Sequence, residues 1–128
     1  MSSWSGDELD RIGGAEELGI ASRRADGSLR PHITIWVVRA GDDLYVRSAQ
    51  GPGNPWFRRA RASGRGNVRA GGLQRDVALE LVPSGAVSRH EAIDAAYHAK
   101  YDRYGPRIVG SVVGPAAAEV TFRLVSER

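Results

Sequence analysis

Alternation of apolar and polar positions is clearest over residues 30–39, RPHITIWVVR. There Ile33, Ile35 and Val37 fall on one face, and His32, Thr34, Trp36 and Val38 on the other, as in a strand. Gly41-Asp42-Asp43 reads as a tight turn into a second strand, Leu44–Ala49, making a hairpin. Residues 17–25 read as another strand ending at the Asp26-Gly27 turn signal. Asn67–Ala70 and Arg75–Val82 form a hairpin about Gly71-Gly72, and Glu119–Val125 a last strand.

Helical periods fall between these runs. Residues 5–12 predict a short helix with Ser5 as N-cap and acids in its first turn. Asn54 and Pro55 suit the N-cap and first helical positions of a helix running to about Ala62. Ser88 and Glu91 fit a capping box at the head of the longest helix, Arg89 to about Tyr104. Its apolar stripe is Ile93, Ala96, Tyr97, Tyr101 and Tyr104, and Gly105-Pro106 ends it. GSVVGPAA reads as a loop. Six strands and two or three helices predict an α+β domain, a mainly antiparallel six-stranded barrel spanning residues 1–128, with 1–16 as a helical N-terminal segment.

Composition narrows the chemistry. A chain of 128 residues with 41% hydrophobic content can build its own core. It has no cysteine, which removes disulfides, thiolate metal sites, iron–sulfur clusters and thiol catalysis. No apolar run has membrane-span or signal-peptide length, so a soluble protein of the cytoplasm is expected. The net charge is +3, yet no Asp or Glu occurs from Leu44 to Arg75. That stretch carries Arg47, Arg58, Arg59, Arg61, Arg65, Arg69 and Arg75, a pattern that attracts anions. Lys100 is the only lysine. It has no acid at i±4, so it either lies along the apolar stripe or reaches a ligand or a carboxylate on another element.

The strongest chemical signal is RSAQGPGNPWFRRAR, residues 47–61. A strand ending at Arg47-Ser48 runs into two glycines, which admit a ligand close to the backbone, and then into a helix N-terminus with Arg58 and Arg59 behind it. It is neither a P-loop nor a dinucleotide fingerprint, because no Gly-Lys-Ser/Thr follows and Trp56 stands where a third glycine would be. A phosphate cradle and an ordinary turn beside a solvated arginine face both fit the spacing. The three histidines have no metal-ligand spacing, so no metal site is expected. Tyr97 and Tyr101 on one stripe fit packing better than chemistry.

The runs HITIWVVRAGDDLYVRSAQGPGNPWFRRA and IDAAYHAKYDRYG resemble DUF2255, a family of uncharacterised bacterial proteins, from about Glu17 to Val125. That family is similar in turn to split-barrel flavoproteins: pyridoxamine-phosphate-oxidase-like enzymes and, more closely, deazaflavin-dependent nitroreductases. In the latter a strand ending in Ser, a Gly-rich loop and a Pro-Trp-Tyr helix start form the cofactor's phosphate site. Ser48, Gly51, Pro55 and Trp56 match that pattern, with Phe57 in place of the Tyr and arginines in place of the usual lysines. The chain before the 30–39 strand is shorter than the nitroreductases' substrate-covering segment.

The resemblance implies a split barrel, a homodimer, and FMN or a deazaflavin (coenzyme F420) as cofactor. Arg47, Ser48, Gly51, Trp56, Arg58 and Arg59 would then form the phosphate site, with His32, Thr34, Trp36 and Lys100 further candidates around the cofactor. Tyr97 and Tyr101 would wall the substrate side, a phenol serving as proton donor. The expected function is an oxidoreductase or cofactor carrier. The alternatives are a ligand-binding barrel without turnover and a nucleic-acid module, the last disfavoured by the modest net charge.

Overall fold

The computed structural model describes residues 3–127. Helix α1 (Gly6–Gly13) starts with a full capping box: the Ser5 hydroxyl accepts from the Glu8 N–H at 3.1 Å, and the Glu8 carboxylate accepts from the Ser5 N–H at 2.8 Å. Leu9 and Ile12 are its buried face. Strands β1 (Leu18–Ser22), β2 (Ile33–Ile35), β3 (Val38–Ala40) and β4 (Asp43–Arg47) follow. Then come α2 (Pro55–Ser63), β5 (Arg65–Ala70), β6 (Leu73–Leu81), α3 (Val87–Tyr101), two one-turn helices α4 (Pro106–Val109) and α5 (Pro115–Ala118), and β7 (Thr121–Ser126).

The strands form one antiparallel sheet in the order β2-β1-β5-β6-β7-β4-β3. β2 and β3 are neighbours in the chain but sit at opposite edges of the sheet. Only Trp36 and Val37 separate them. Three Cα steps of 3.8 Å span about 11 Å at most, so the edges must curl to within that distance. The sheet is therefore a barrel whose seam is crossed by the chain itself.

The expected single strand 30–39 is thus two strands, and the barrel has seven strands rather than six. The hairpin expected between residues 30–39 and 44–49 forms only through β3 and β4, because β2 pairs with β1. The two-face reading holds across the break: Ile35 and Val37 pack into one core and Trp36 and Val38 into the other, so both faces are covered there. Side chains replace the missing strand partner. The Tyr101 hydroxyl oxygen accepts from the Val37 N–H at 3.3 Å, and Lys100 Nζ donates to the Val37 carbonyl at 2.6 Å.

The core divides at the sheet. One part contains Leu18, Val46, Phe57, Val68, Val77, Phe122 and Leu124, with α1 and α2 packed on it. The other lies under α3 and contains Val38, Tyr45, Ile93, Tyr97 and Tyr101. β4 feeds both: Leu44 and Val46 point one way, Tyr45 the other. The capping box expected at Ser88 and Glu91 is absent. A turn from Pro83 starts α3 two residues earlier, at Val87, with Ala86 at the N-cap and no side-chain cap. GSVVGPAA is not all loop either, because Gly114-Pro115 opens α5. No helix of the structure is long and apolar enough to cross a membrane among the described residues.

Candidate cofactor site

After β4 the chain turns tightly. The Ser48 hydroxyl donates to the Gly51 carbonyl at 2.7 Å, and the Gly51 N–H to the Ser48 carbonyl at 3.2 Å. Gly51 sits at φ 76°, a conformation that other residues rarely adopt. Asn54 and Pro55 then open α2 as expected, although the Asn54 side chain makes no cap bond. Pro55 has no N–H, and the Arg58 N–H already reaches the Asn54 carbonyl at 3.1 Å. The Trp56 and Phe57 amides are left without an intrahelical acceptor. Phe57 is buried against Phe122, with ring centroids 5.0 Å apart. Trp56 is only partly buried and turns outward beside it.

Beside this loop lies a cavity of about 400 Å³. Its walls are Trp36, Trp56, Ile33, Thr34, Ile35, the loop residues Ala49, Gln50 and Asn54, and Ile108, Ser111 and Val112 from α4 and the turn after it. Trp36 is held from behind by Tyr101, whose ring is parallel to it at 4.0 Å and 4°. The cavity shares Ile33 and Trp56 with a smaller one of about 270 Å³. That one shares Arg30 and Arg59 with a broad bowl of about 950 Å³. The three adjoin through these shared residues, aromatic at one end and lined at the other by Arg23, Arg24, Arg30, Arg58, Arg59 and Arg65, with no acid among the residues that line the bowl.

Arg47 touches the aromatic cavity, but its donors are largely engaged. Its Nε donates to Thr121 Oγ1 at 2.9 Å, one terminal nitrogen to the Val112 carbonyl at 2.8 Å and to the Asp94 carboxylate, and the other contacts His90 Nδ1 at 3.0 Å. His90 Nε2 faces the Pro83 carbonyl at 2.9 Å. A carbonyl only accepts, so the proton lies on Nε2 and Nδ1 accepts from Arg47: the ring is neutral in this arrangement. This network was invisible in sequence, because its members come from β4, α3, β7 and the turn after α4.

The other expected residues divide. Ser48, Gly51, Trp56, Arg58 and Arg59 come together around the loop and the head of α2, and Thr34 and Trp36 join them across the cavity. Arg58 and Arg59 are exposed, and among the described residues their side chains make no hydrogen bond or ion pair. His32 lies on the sheet edge instead, its Nε2 2.9 Å from Asn67 Oδ1. Lys100 is drawn to the end of α1 and to the seam, donating to the Gly13 and Val37 carbonyls at 2.8 and 2.6 Å. Burial pulls its pKa down to about 8, against the attraction of Glu16.

Tyr97 and Tyr101 are fully buried beneath α3, away from the cavity lining. Burial pushes the Tyr97 phenol far up and the Tyr101 phenol to about 12, so both stay protonated. Arg23, Arg24 and Arg30 lie outside the acid-free stretch, with Asp26 among them. The Asp26 carboxylate is turned onto Ser28, accepting from its N–H at 2.9 Å and its hydroxyl at 2.6 Å. Among the described residues no group of three metal-ligating side chains converges.

A seven-stranded antiparallel sheet curled on itself, crossed at its seam and flanked by helices, is a split barrel. The DUF2255 family model, described as an uncharacterized protein conserved in bacteria, matches residues 8–124, and the chain belongs to that family. No curated protein matches its sequence. Among solved structures it is similar to an FAD-binding protein from Mesorhizobium loti, at 20% identity, covering 98% of this chain and 91% of that one with a TM-score of 0.60. It is similar to a putative pyridoxamine 5'-phosphate oxidase from Listeria innocua, at 16% identity, 94% and 90% coverage and a TM-score of 0.64. It is also similar to an F420 reductase, at 16% identity, 98% and 96% coverage and a TM-score of 0.55. At these identities the likeness concerns the fold.

Proposed function

We propose that this protein binds a flavin-type cofactor, FMN or a deazaflavin, and acts as an oxidoreductase or as a carrier of that cofactor in the cytoplasm. One observation carries the reading: a two-tryptophan cavity opens beside a helix start whose amides and arginines have no internal partner. Trp36, Trp56, Ile33 and Ile108 offer apolar walls to a fused ring, and Thr34, Gln50 and Asn54 offer polar groups to orient it. The Trp56 and Phe57 amides with Arg58 and Arg59 would hold the phosphate. When bound, the cofactor supplies the hydride chemistry. Ser48 and Gly51 shape the loop, and Arg47 steadies the Val112 side of the cavity through that residue's carbonyl. Glu17 is the one carboxylic acid on the cavity wall. Ile33 and Ile108 stay exposed at its rim, which supports a two-fold homodimer in which a second copy covers them.

Burial of Tyr97 and Tyr101 favours a second reading, a barrel that binds its ligand without turnover. The deciding experiment compares FMN with riboflavin by calorimetry. Each shielded charge-assisted contact to phosphate contributes about 1.5–3 kcal/mol, so Arg59→Ala should weaken FMN roughly 10- to 150-fold and leave riboflavin unchanged. Equal affinity for the two before and after mutation, or no binding of either, would refute the phosphate site. Flavin turnover with a reductant separates enzyme from carrier, and a sedimentation profile showing monomer alone would refute the dimer.

A further inference from the structure

The aromatic cavity carries one charge that phosphate binding does not use. Only Arg47 and Glu17 among its lining residues are charged. The buried Arg47 is matched by Asp94. Glu17 is exposed, and its carboxylate makes no hydrogen bond or ion pair among the described residues. The neighbouring Glu16 differs, because Arg103 and Tyr104 both bind its carboxylate. Strand register places Glu17. Leu18 pairs with Ile35 between β1 and β2, and one step further on Glu17 falls opposite Trp36. Residues opposite each other in an antiparallel pair project from the same face. Leu18 and Ile35 pack into the core beneath α1 and α2, so Glu17 shares the other face with Trp36, and both line the cavity. The Tyr101 hydroxyl holds the two ends of this pair, donating to the Glu16 carbonyl at 2.9 Å and accepting from the Val37 N–H at 3.3 Å.

We infer that the cavity takes an organic monocation, an amine or a quaternary ammonium, held between the Trp36 indole and the Glu17 carboxylate. One face of Trp36 is covered by Tyr101, and the indole lines the cavity. The face of an indole attracts a cation through its ring quadrupole, and Trp56 supplies a second indole on the wall. An unpaired carboxylate beside them adds to the same preference and repels anions. Thr34, Gln50, Asn54 and Ser111 supply neutral acceptors for any N–H the cation carries. The free arginines Arg58 and Arg59 line the bowl and not this cavity, so the two ends prefer charges of opposite sign. As a ligand class the monocation stands on the cavity alone; as the substrate class of a bound cofactor it rests on the flavin reading.

The test is a set of calorimetric titrations of wild type, Glu17→Gln and Glu17→Lys at neutral pH and low salt. Four probes share one ring: benzylammonium, benzyltrimethylammonium, benzyl alcohol and benzoate. Glu17 is exposed and unpaired, so both variants should melt with wild type, and the melting temperature checks it. The expected result is that the cations bind about tenfold more tightly than benzyl alcohol, with benzoate weakest. Glu17→Gln should weaken the cations about three- to fivefold and benzyl alcohol less than about twofold, and Glu17→Lys should place benzoate ahead of benzylammonium. Binding of both cations assigns the preference to charge and ring face, and binding of benzylammonium alone assigns it to charge and N–H bonds; either supports the inference. Benzyl alcohol or benzoate binding as tightly as the cations, Glu17→Gln leaving all four unchanged, or no probe binding overturns it. FMN and riboflavin titrated in parallel separate the two readings. FMN binding without a cation preference overturns this inference alone, and a Glu17-dependent cation preference with neither flavin bound overturns the flavin reading alone.

Discussion

Replacing Asp94 by Ala isolates the charge at the heart of the Arg47 network. The Arg47 side chain is 0% exposed, whereas Asp94 is 31% exposed. Asp94 is the one carboxylate bonded to that guanidinium among the described residues. Its loss leaves a buried cation with only neutral acceptors: Thr121 Oγ1, the Val112 carbonyl and His90 Nδ1. Breaking a buried pair in this way costs about 3–5 kcal/mol, and the remaining acceptors set the lower end, about 3 kcal/mol. That is a large part of the 5–15 kcal/mol typical of a domain, and should lower the melting temperature by roughly 10–20 °C. The converse variant, Arg47→Met, keeps most of the volume and leaves a carboxylate that reaches water and still accepts from the Gly114 N–H at 3.2 Å. The double variant should therefore be less destabilised than the two singles added, by about 2 kcal/mol. Urea unfolding midpoints measure all three. An Asp94→Ala change within about 0.5 kcal/mol of wild type, or strict additivity in the double, would refute the account.

Gly71→Ala should cost well over 2 kcal/mol in the same assay, since Gly71 is at φ 58° and a Cβ there would lie 2.2 Å from the Arg11 carbonyl oxygen. Gly72→Ala, at φ 79° with nothing within 4 Å, should cost about 1 kcal/mol, and equal losses at the two sites would disprove the clash. Ser5→Ala removes the capping box and should cost about 1 kcal/mol, seen as faster amide exchange in α1. Lys100 has a folded pKa of about 8, below its ordinary value of 10.5. Between those values the unfolded chain holds the proton that the folded chain has lost, so this group's contribution to stability rises with pH and is lost as pH falls through about 8. Wild type should accordingly gain on Lys100→Met between pH 7.5 and 9.5, and parallel profiles would show that the ammonium is not buried at a cost.

What could be read from the sequence was local. The Gly71-Gly72 hairpin, the Asn54-Pro55 helix start and the Ser5 cap each depend on residues within a few positions, and each formed. The strand break at Trp36 depends on Tyr101 and Lys100, more than 60 residues away, and nothing in RPHITIWVVR announces it. Ser88 had the composition of a cap but lost to the turn from Pro83, whose carbonyl accepts from the Ala86 N–H at 3.1 Å. At the site, the acid-free stretch contains Arg58 and Arg59, which line one wall of the bowl. It also contains Arg47, whose partner Asp94 lies outside the stretch. Arg30 falls outside it, near Asp26 in sequence, yet that carboxylate is turned onto Ser28.

Seam and site share the same two residues, and this ties the barrel's closure to its chemistry. Val37 is where the chain leaves one sheet edge for the other, and its backbone N–H and C=O are satisfied by α3 rather than by a strand. Trp36, one residue earlier, is a wall of the aromatic cavity, and its other face lies flat on the Tyr101 that holds Val37. Tyr101 thus bears on the cavity indirectly. It sets the plane of the Trp36 wall, and Tyr104, in the turn after α3, tilts onto the same indole at 5.4 Å. A change that moves Tyr101 must move the seam and the cavity wall together, since one hydroxyl and one ring serve both. The stripe reading of α3 as packing therefore extends to the cavity: the packing positions its Trp36 wall.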